Sequence, residues 1–124
     1  MNTTLLLVDD DAAARRMMRR VLGRFGYEVI EASDGAGAVD VTRAELPAAV
    51  LLDLRMPGTM SGMDAARELK RDPATAHIPV IIVSASTHLA ARDMTAELGC
   101  DAFVEKPVDF DELQRVLQEL VPRS

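Results

Sequence analysis

Three short, almost uninterrupted apolar runs constrain the fold of this chain more than any other feature. They are "TLLLV" at residues 4–8, "AAVLL" at 48–52 and "PVIIV" at 79–83. Runs of this kind are typical of β-strands that are buried on both faces. Two mixed runs, "YEVIEA" and "DAFVEK", supply further strands, and an amphipathic segment follows each strand. The alternation predicts an α/β fold in which helices cover both faces of a parallel sheet.

The segments between the strands carry helical periodicity and capping residues. Apolar stripes run along two of them: Ala14, Met18, Val21, Leu22 and Phe25 in the first, and Ala38, Val41 and Ala44 in the second. Two pairs have the spacing of a capping box: Ser61 with Asp64, and Asp109 with Glu112. Ser33 is predicted to cap the second helix, and Gly99 is predicted to follow the end of the fourth.

Length and composition limit the classes of protein to which the chain can belong. Its 124 residues are predicted to form one domain, residues 1–124, and the hydrophobic content of 48% suffices for a core. The net charge of −6 argues against nucleic-acid binding, which requires a basic surface. The apolar runs are too short for a membrane helix. We expect a cytoplasmic protein in which the single cysteine, Cys100, is a small buried residue.

Polar side chains follow four of the five predicted strands. They are Asp9, Asp10 and Asp11 after the first strand, Asp53 after the third, Ser84 after the fourth and Lys106 after the fifth. The carboxyl ends of parallel strands meet at one edge of a sheet, which is where ligands of such sheets bind. We therefore expect these side chains to converge, except Asp11, which directly precedes the first helix and is predicted to cap it.

The converging residue types favour phosphoryl chemistry assisted by a metal ion. Clustered carboxylates without Cys or His make an oxygen-only site, which suits a hard cation such as Mg²⁺. A carboxylate can also act as a nucleophile and form an aspartyl-phosphate. We predict that Asp53, the central carboxylate, is the nucleophile and that Asp9 and Asp10 hold the metal. Lys106 and Ser84 would then stabilise the phosphoryl oxygens.

The motifs "LLLVDDD", "LLDLRMPG", "VIIVSAS" and "FVEKP" resemble, in order and approximate spacing, those of the receiver domains of two-component response regulators. The resemblance covers nearly the whole chain. It implies a flavodoxin-like (βα)₅ fold with a parallel sheet of strand order 2-1-3-4-5. It also implies that the chain works as a signalling switch and that its only catalysis is its own phosphorylation and dephosphorylation.

The resemblance assigns a role to each residue of the predicted site. Asp53 would accept a phosphoryl group from a phosphohistidine on a sensor histidine kinase or a histidine phosphotransfer domain. Asp10 and Asp53 would bind Mg²⁺ through their side chains, Arg55 through its backbone carbonyl, and Asp9 through water. The Lys106–Pro107 bond is expected to be cis, as in the family.

The resemblance also implies a conformational switch. Ser84 would move toward the phosphoryl group and Phe103 would turn inward behind it. This movement would reshape the surface formed by the fourth helix, the fifth strand and the fifth helix, to which a downstream protein target binds. The chain would be a monomer or a phosphorylation-dependent dimer, without direct contact to nucleic acid or membrane.

Two features of the sequence depart from the common family pattern, and a third is open to two interpretations. The loop "RMPGTMSG" is one residue longer than usual, and Arg55 and Ser86 occupy positions that tune dephosphorylation in the family. A bulky Arg55 is predicted to slow self-dephosphorylation. The basic run that contains Arg15, Arg16, Arg19 and Arg20 is either a solvated helix face or a docking site for the phosphodonor.

Three other functions are compatible with parts of the sequence. A haloacid dehalogenase-like phosphatase would use Asp9 and Asp11 as its D-x-D motif, but it would have Ala13 at an unusual position and no role for Asp53. A flavodoxin-like redox module would need a Ser/Thr/Gly-rich phosphate loop where this chain has "DDDAAA". A phosphorylation-independent binding module would not need the acidic cluster together with Ser84 and Lys106.

Overall fold

The computed structural model describes residues 3–56, 58, 60–85 and 89–121, with only the backbone of residues 89 and 90. Strands and helices alternate along the described chain. The strands are β1 (Thr4–Val8), β2 (Glu28–Ala32), β3 (Ala49–Leu52), β4 (Val80–Ser84) and β5 (Ala102–Glu105). The helices are α1 (Ala12–Arg24), α2 (Gly35–Glu45), α3 (Gly62–Arg71), α4 (Leu89–Glu97) and α5 (Phe110–Leu120).

The five strands form one parallel sheet in the order β2-β1-β3-β4-β5. In the register of the sheet, Leu6 of β1 pairs with Ile30 of β2 on one side and with Val50 of β3 on the other. The carboxyl ends of β1 and β3 are therefore neighbours at the centre of one sheet edge. The predicted flavodoxin-like (βα)₅ fold and its strand order are confirmed.

Each face of the sheet carries its own hydrophobic core. Leu5 and Leu7 of β1 pack with α1 and α5, whose Leu22 and Leu113 are fully buried. Leu6 and Val8 point to the opposite face and pack with α2 and α3. Alternate residues of one strand thus serve two cores, which is why β1 is apolar at every position from Leu5 to Val8.

Polar side chains cap the first turns of α1, α3 and α5. Asp11 accepts hydrogen bonds from the backbone N–H groups of Ala13 and Ala14 and begins α1, as predicted. Ser61 and Asp64 form both hydrogen bonds of the predicted capping box at α3. Asp109 begins α5 and accepts from the N–H group of Glu112, at 3.2 Å, among others.

Two details of α2 were predicted wrongly. Asp34, not Ser33, caps the helix, because the Asp34 carboxylate accepts a hydrogen bond of 2.6 Å from the N–H group of Gly37. The buried face consists of Gly35, Ala38, Val39 and Thr42, whereas Ala44 is exposed. The buried hydroxyl of Thr42 donates to the carbonyl of Ala38 within the same helix, so a polar residue can face the core without an unpaired group.

Several local predictions from the sequence are confirmed. The Lys106–Pro107 peptide bond is cis, and Gly99 follows α4 with a φ of 93°. Cys100 packs at the edge of a core and is partly rather than fully buried; this burial raises the pKa of its thiol to about 11. No helix in the described part of the chain is long and apolar enough to span a membrane.

Candidate phosphoryl-acceptor site

The carboxyl ends of β1 and β3 bring three carboxylates together. Asp9 and Asp10 follow β1, Asp53 follows β3, and one oxygen atom of each lies within 4.8 Å of the others. Asp9 and Asp53 are each only 7% exposed, whereas Asp10 is open to solvent. The sequence predicted this convergence because strands that are adjacent and parallel end at the same edge.

Lys106 supplies a positive charge to the cluster from the end of β5. Its Nζ atom lies 2.8 Å from Asp53 Oδ2 and 3.1 Å from Asp9 Oδ2. Partial burial lowers the pKa of Lys106, but the hydrogen bonds and negative charges of Asp53 and Asp9 outweigh it, so the pKa is raised overall. The ammonium group therefore stays charged at neutral pH.

Backbone N–H groups hold the second oxygen of each buried carboxylate. The N–H group of Asp11 donates to Asp9 Oδ1, and that of Arg55 donates to Asp53 Oδ1, both at 2.9 Å. Three carboxylates against one ammonium leave the cluster negatively charged. Carboxylate oxygens in excess of the local positive charge fit a hard divalent cation such as Mg²⁺.

A glycine allows α3 to begin directly against the backbone of the central carboxylate. A Cβ atom on Gly62 would lie 2.2 Å from the carbonyl oxygen of Asp53 and 2.6 Å from the Cα atom of Leu54. Both contacts are with backbone, which cannot rotate away, so only glycine fits. The start of α3 thus fixes the segment that carries Asp53.

Ser84 and Phe103 occupy the two strands on the other side of β3. Ser84 ends β4 and is fully buried, and its carbonyl oxygen accepts a 2.9 Å hydrogen bond from the N–H group of Lys106. Phe103 lies in β5, is partly buried and packs against the second core. The guanidinium carbon of Arg92, in α4, lies 4.5 Å from the centre of the Phe103 ring, a cation–π contact.

Comparison with known proteins identifies the family. The sequence pattern of the response regulator receiver domain matches residues 5–118. The chain belongs to this family. Protein PilH of Pseudomonas aeruginosa is 33% identical over 101 residues, which cover 82% of this chain and 83% of PilH.

Two further relatives extend the comparison. Response regulator PleD of Caulobacter vibrioides is 42% identical over 83 residues, which cover 67% of this chain but only 18% of PleD. The receiver domain of a sensor histidine kinase from Pseudomonas aeruginosa PAO1 has 28% identity and a TM-score of 0.88 over 97% of this chain and 98% of that one. That crystal structure contains a magnesium ion coordinated in the active-site cleft.

Some residues that the sequence singled out in this receiver domain lie away from the cluster or outside the described residues. The side chain of Arg55 is exposed, and its N–H group is the atom that contacts Asp53. His77 is exposed. Ser86, His88 and two residues of the long loop after Asp53 are outside the described part of the chain.

The sequence reasoning missed the contact of Arg15 with the site and the role of Glu31, which holds Arg15. Arg15 donates a short hydrogen bond to the carbonyl oxygen of Asp9, and Glu31, at the end of β2, accepts from Arg15. One signal was present, since an arginine in the first turn of a helix faces the positive end of the helix dipole, where a cation is unfavourable without a specific partner.

An apolar cavity of about 470 Å³ adjoins the carboxylate cluster. Its lining includes Ala14, Met17 and Met18 of α1 together with Val108 and Phe110. Met17 is 58% exposed, an unusual degree of exposure for a large apolar side chain in this receiver. The cavity places an apolar surface directly beside Asp53 and Lys106.

Proposed function

We propose that this chain is a phosphorylated switch of a two-component system, in which Asp53 accepts a phosphoryl group from a phosphohistidine. The donor is a sensor histidine kinase or a histidine phosphotransfer domain. One observation carries the proposal: the Lys106 ammonium bridges Asp53 and Asp9 at 2.8 and 3.1 Å, beside the third carboxylate, Asp10. A buried carboxylate held by an ammonium and next to a cation site is suited to phosphoryl transfer.

The chemistry assigns one task to each residue. An oxygen of Asp53 forms a bond to phosphorus while the bond between phosphorus and the imidazole nitrogen breaks, and the electron pair stays on that nitrogen. Lys106 neutralises one phosphoryl oxygen, and the Ser84 hydroxyl donates a hydrogen bond to another. Asp9, Asp10, Asp53 and the carbonyl of Arg55 would hold Mg²⁺, which supplies further charge neutralisation when bound.

The readout surface consists of α4, β5 and α5. In the proposed switch, Ser84 moves toward the phosphoryl group and Phe103 turns inward. Arg92 lies over the Phe103 ring and 4.0 Å from Glu105, so an inward rotation of Phe103 would also release Arg92. Downstream target proteins would distinguish the two positions of this arginine and of the ring.

The donor would dock on α1 and the adjoining apolar cavity. Among the described residues, Arg16 and Arg20 are exposed without an ion-pair partner, while Met17 projects beside them. A donor surface with acidic residues around an apolar side chain would complement this combination. We further propose one receiver domain over residues 1–124, a cytoplasmic location, and a monomer or a phosphorylation-dependent dimer.

Arg55 is proposed to lengthen the lifetime of the phosphorylated state. Its backbone is tied to Asp53 while its bulky side chain is exposed, so the side chain can obstruct the attacking water. The Arg55→Asn variant should lose the phosphoryl group several-fold faster than wild type. Equal decay rates of the two phosphorylated proteins would contradict this role.

The decisive experiment is phosphorylation by a small phosphodonor. The protein is incubated with Mg²⁺ and either acetyl phosphate or phosphoramidate, and its intact mass is measured. Wild type should gain one phosphate, which disappears in Asp53→Asn and without metal. Asp40→Asn, a change of an exposed carboxylate on α2, is the matched control and should be phosphorylated normally.

The other outcomes support specific alternatives. An adduct that survives in Asp53→Asn but disappears in Asp9→Asn would favour the phosphatase-like function. The absence of an adduct with both donors would favour a binding module that works without phosphorylation.

A further inference from the structure

The main chain of Asp9 is held by a side chain from the neighbouring helix. A terminal guanidinium nitrogen of Arg15 donates a short hydrogen bond to the carbonyl oxygen of Asp9. The carboxylate of the same residue accepts from the N–H group of Asp11 and from Lys106. Both the main chain and the side chain of Asp9 are therefore held in place. Of these three contacts, only the one from Arg15 is made by a side chain of α1.

Glu31 determines where the Arg15 guanidinium can lie. Its Oε1 atom accepts from Arg15 Nε at 3.0 Å, and its Oε2 atom accepts from Arg19 at 2.6 Å. The side chains of Arg15 and Glu31 are only 18% and 27% exposed, so this ion pair is shielded from water better than a surface pair. An arginine whose Nε is held by a carboxylate has its terminal nitrogens aimed in a fixed direction, here at Asp9.

We propose that Arg15, oriented by Glu31, is a positioning residue that fixes the Asp9 main chain and thereby the carboxylates of the metal site. The inference rests on the proposed function for the identity of the metal, Mg²⁺. It reassigns part of the basic run on α1. Arg15 contacts the site directly and Arg19 only through Glu31, whereas Arg16 and Arg20 remain available for a partner.

Geometry and charge predict opposite effects of removing Arg15. A positive charge near the carboxylates repels a cation, so its removal alone should tighten Mg²⁺ binding. If Arg15 positions Asp9, removal of Arg15 should weaken Mg²⁺ binding. The binding free energy lost by displacing the Asp9 carboxylate would then exceed the free energy gained by removing the repulsion between Arg15 and the cation. Arg15→Lys separates the two effects further, since it keeps the charge but lacks the planar group that bonds Glu31 and Asp9 together.

The first test is the dissociation constant of Mg²⁺, measured by titration calorimetry. We expect binding to weaken about ten-fold in both Arg15→Ala and Arg15→Lys, and by less in Glu31→Gln, as for other residues that support metal ligands. Arg16→Ala and Arg16→Lys are matched controls on the exposed face and should stay within about two-fold of wild type. Tighter binding in Arg15→Ala, or unchanged binding in Arg15→Lys, would overturn the proposal.

The second test needs no metal. The N–H group of Asp11 donates a hydrogen bond to Asp9 Oδ1, so we expect its amide proton to be protected from exchange without Mg²⁺, and NMR-detected exchange measures that protection. Exchange should be about ten-fold faster in Arg15→Lys and unchanged in Arg16→Lys. Unchanged exchange in Arg15→Lys would refute the positioning role. A wild-type protein that binds no Mg²⁺ would instead contradict the proposed metal site and leave this second test decisive for Arg15.

Discussion

Each end of the sheet holds a lysine that forms ion pairs, with one carboxylate at one end and with two at the other. At the amino-terminal end of β4, Lys70 of α3 donates to the carbonyl oxygens of Ala76 and Ile78 and to Asp101 Oδ2, at 3.2, 2.8 and 3.0 Å. Asp101 Oδ2 also accepts from the N–H group of Val80. One positive and one negative charge balance each other there, and the Lys70 ammonium donates three hydrogen bonds.

At the carboxyl-terminal end, Lys106 faces three carboxylates. Asp9 and Asp53 share its ammonium, and Asp10 stands exposed beside them. The charges do not balance, and the arrangement can gain free energy by binding a cation. The Lys70 cluster therefore has a structural role, because it links α3 to β4 and β5. The Lys106 cluster instead retains an excess of negative charge, which a bound cation can neutralise.

Removal of Lys70 should have the largest effect on stability. Lys70→Met leaves the two carbonyl oxygens without the Lys70 donor and Asp101 without its ion-pair partner, and the Lys70 side chain is only 10% exposed. We expect the free energy of unfolding to fall by about 3 kcal/mol, measured by urea denaturation at pH 7. Arg71→Met, an exposed neighbour on the same helix, should change it by less than about 0.5 kcal/mol. A loss of similar size in both variants would contradict this account.

Addition of Mg²⁺ should stabilise the protein through the carboxylates at the carboxyl-terminal end of the sheet, and not through the Lys70 cluster. At a Mg²⁺ concentration one hundred times its dissociation constant, wild type should gain about 2.7 kcal/mol in the free energy of unfolding. Asp101→Asn should start from a lower stability and show the same gain, because its substitution is at the opposite end. Asp10→Asn should show most of the gain lost at the same concentration. An equal gain in both variants would place the bound cation elsewhere.

The same comparison shows what the sequence could reveal. The contact between Asp53 and Lys106 could be predicted because each directly follows a strand, and strand ends are fixed by the alternation of apolar runs. Ser84, which ends β4, was selected on the same ground, and its part in the site stays a prediction. Arg15 and Glu31 were not found, because a contact between a side chain and a distant backbone carbonyl produces no periodicity or spacing. The sequence likewise treated Arg15 and Arg16 alike, although the fold buries part of one and exposes the other.

Side chains whose polar groups are paired within the fold are hidden from sequence reasoning for a related reason. Thr42 appears unsuited to a buried helix face until its hydrogen bond to the carbonyl of Ala38 is known. Lys70 appears to be a surface charge until the carbonyl oxygens of the loop after α3 are seen around it. In both cases the compensating partner is a backbone atom, which every residue possesses.

Without metal, a substitution in the carboxylate cluster should raise stability slightly. Asp10 is exposed and makes no hydrogen bond among those of the described residues, so Asp10→Asn removes repulsion without removing a contact. We expect a gain of about 0.5 kcal/mol in the free energy of unfolding in buffer that contains a chelator. Asp101→Asn is the counterpart at the other end and should lower it. A loss of stability in Asp10→Asn would mean that the carboxylates of the cluster do not repel one another enough to destabilise the fold.

The smallest effect concerns the titration of Lys106. The pKa of Lys106 is raised above its ordinary value of 10.5, because the hydrogen bonds and charges of Asp53 and Asp9 outweigh the cost of burial. A raised pKa in the folded state means that the ion pair stabilises the protein fully below pH 10.5 and that this contribution is lost as the pH rises through the folded-state pKa.

Asp53→Asn tests whether the carboxylates cause this shift. The variant loses the stronger of the two hydrogen-bonding carboxylates but keeps the burial, so the pKa of Lys106 should fall relative to wild type. NMR titration of the Lys106 side chain between pH 9 and 12 measures both values. An equal pKa in the two proteins would mean that Asp53 does not govern the charge of Lys106. Lys106 would then resemble Lys70, whose charge is balanced by its surroundings at the other end of the sheet. The excess negative charge attributed to this site would lose its main support.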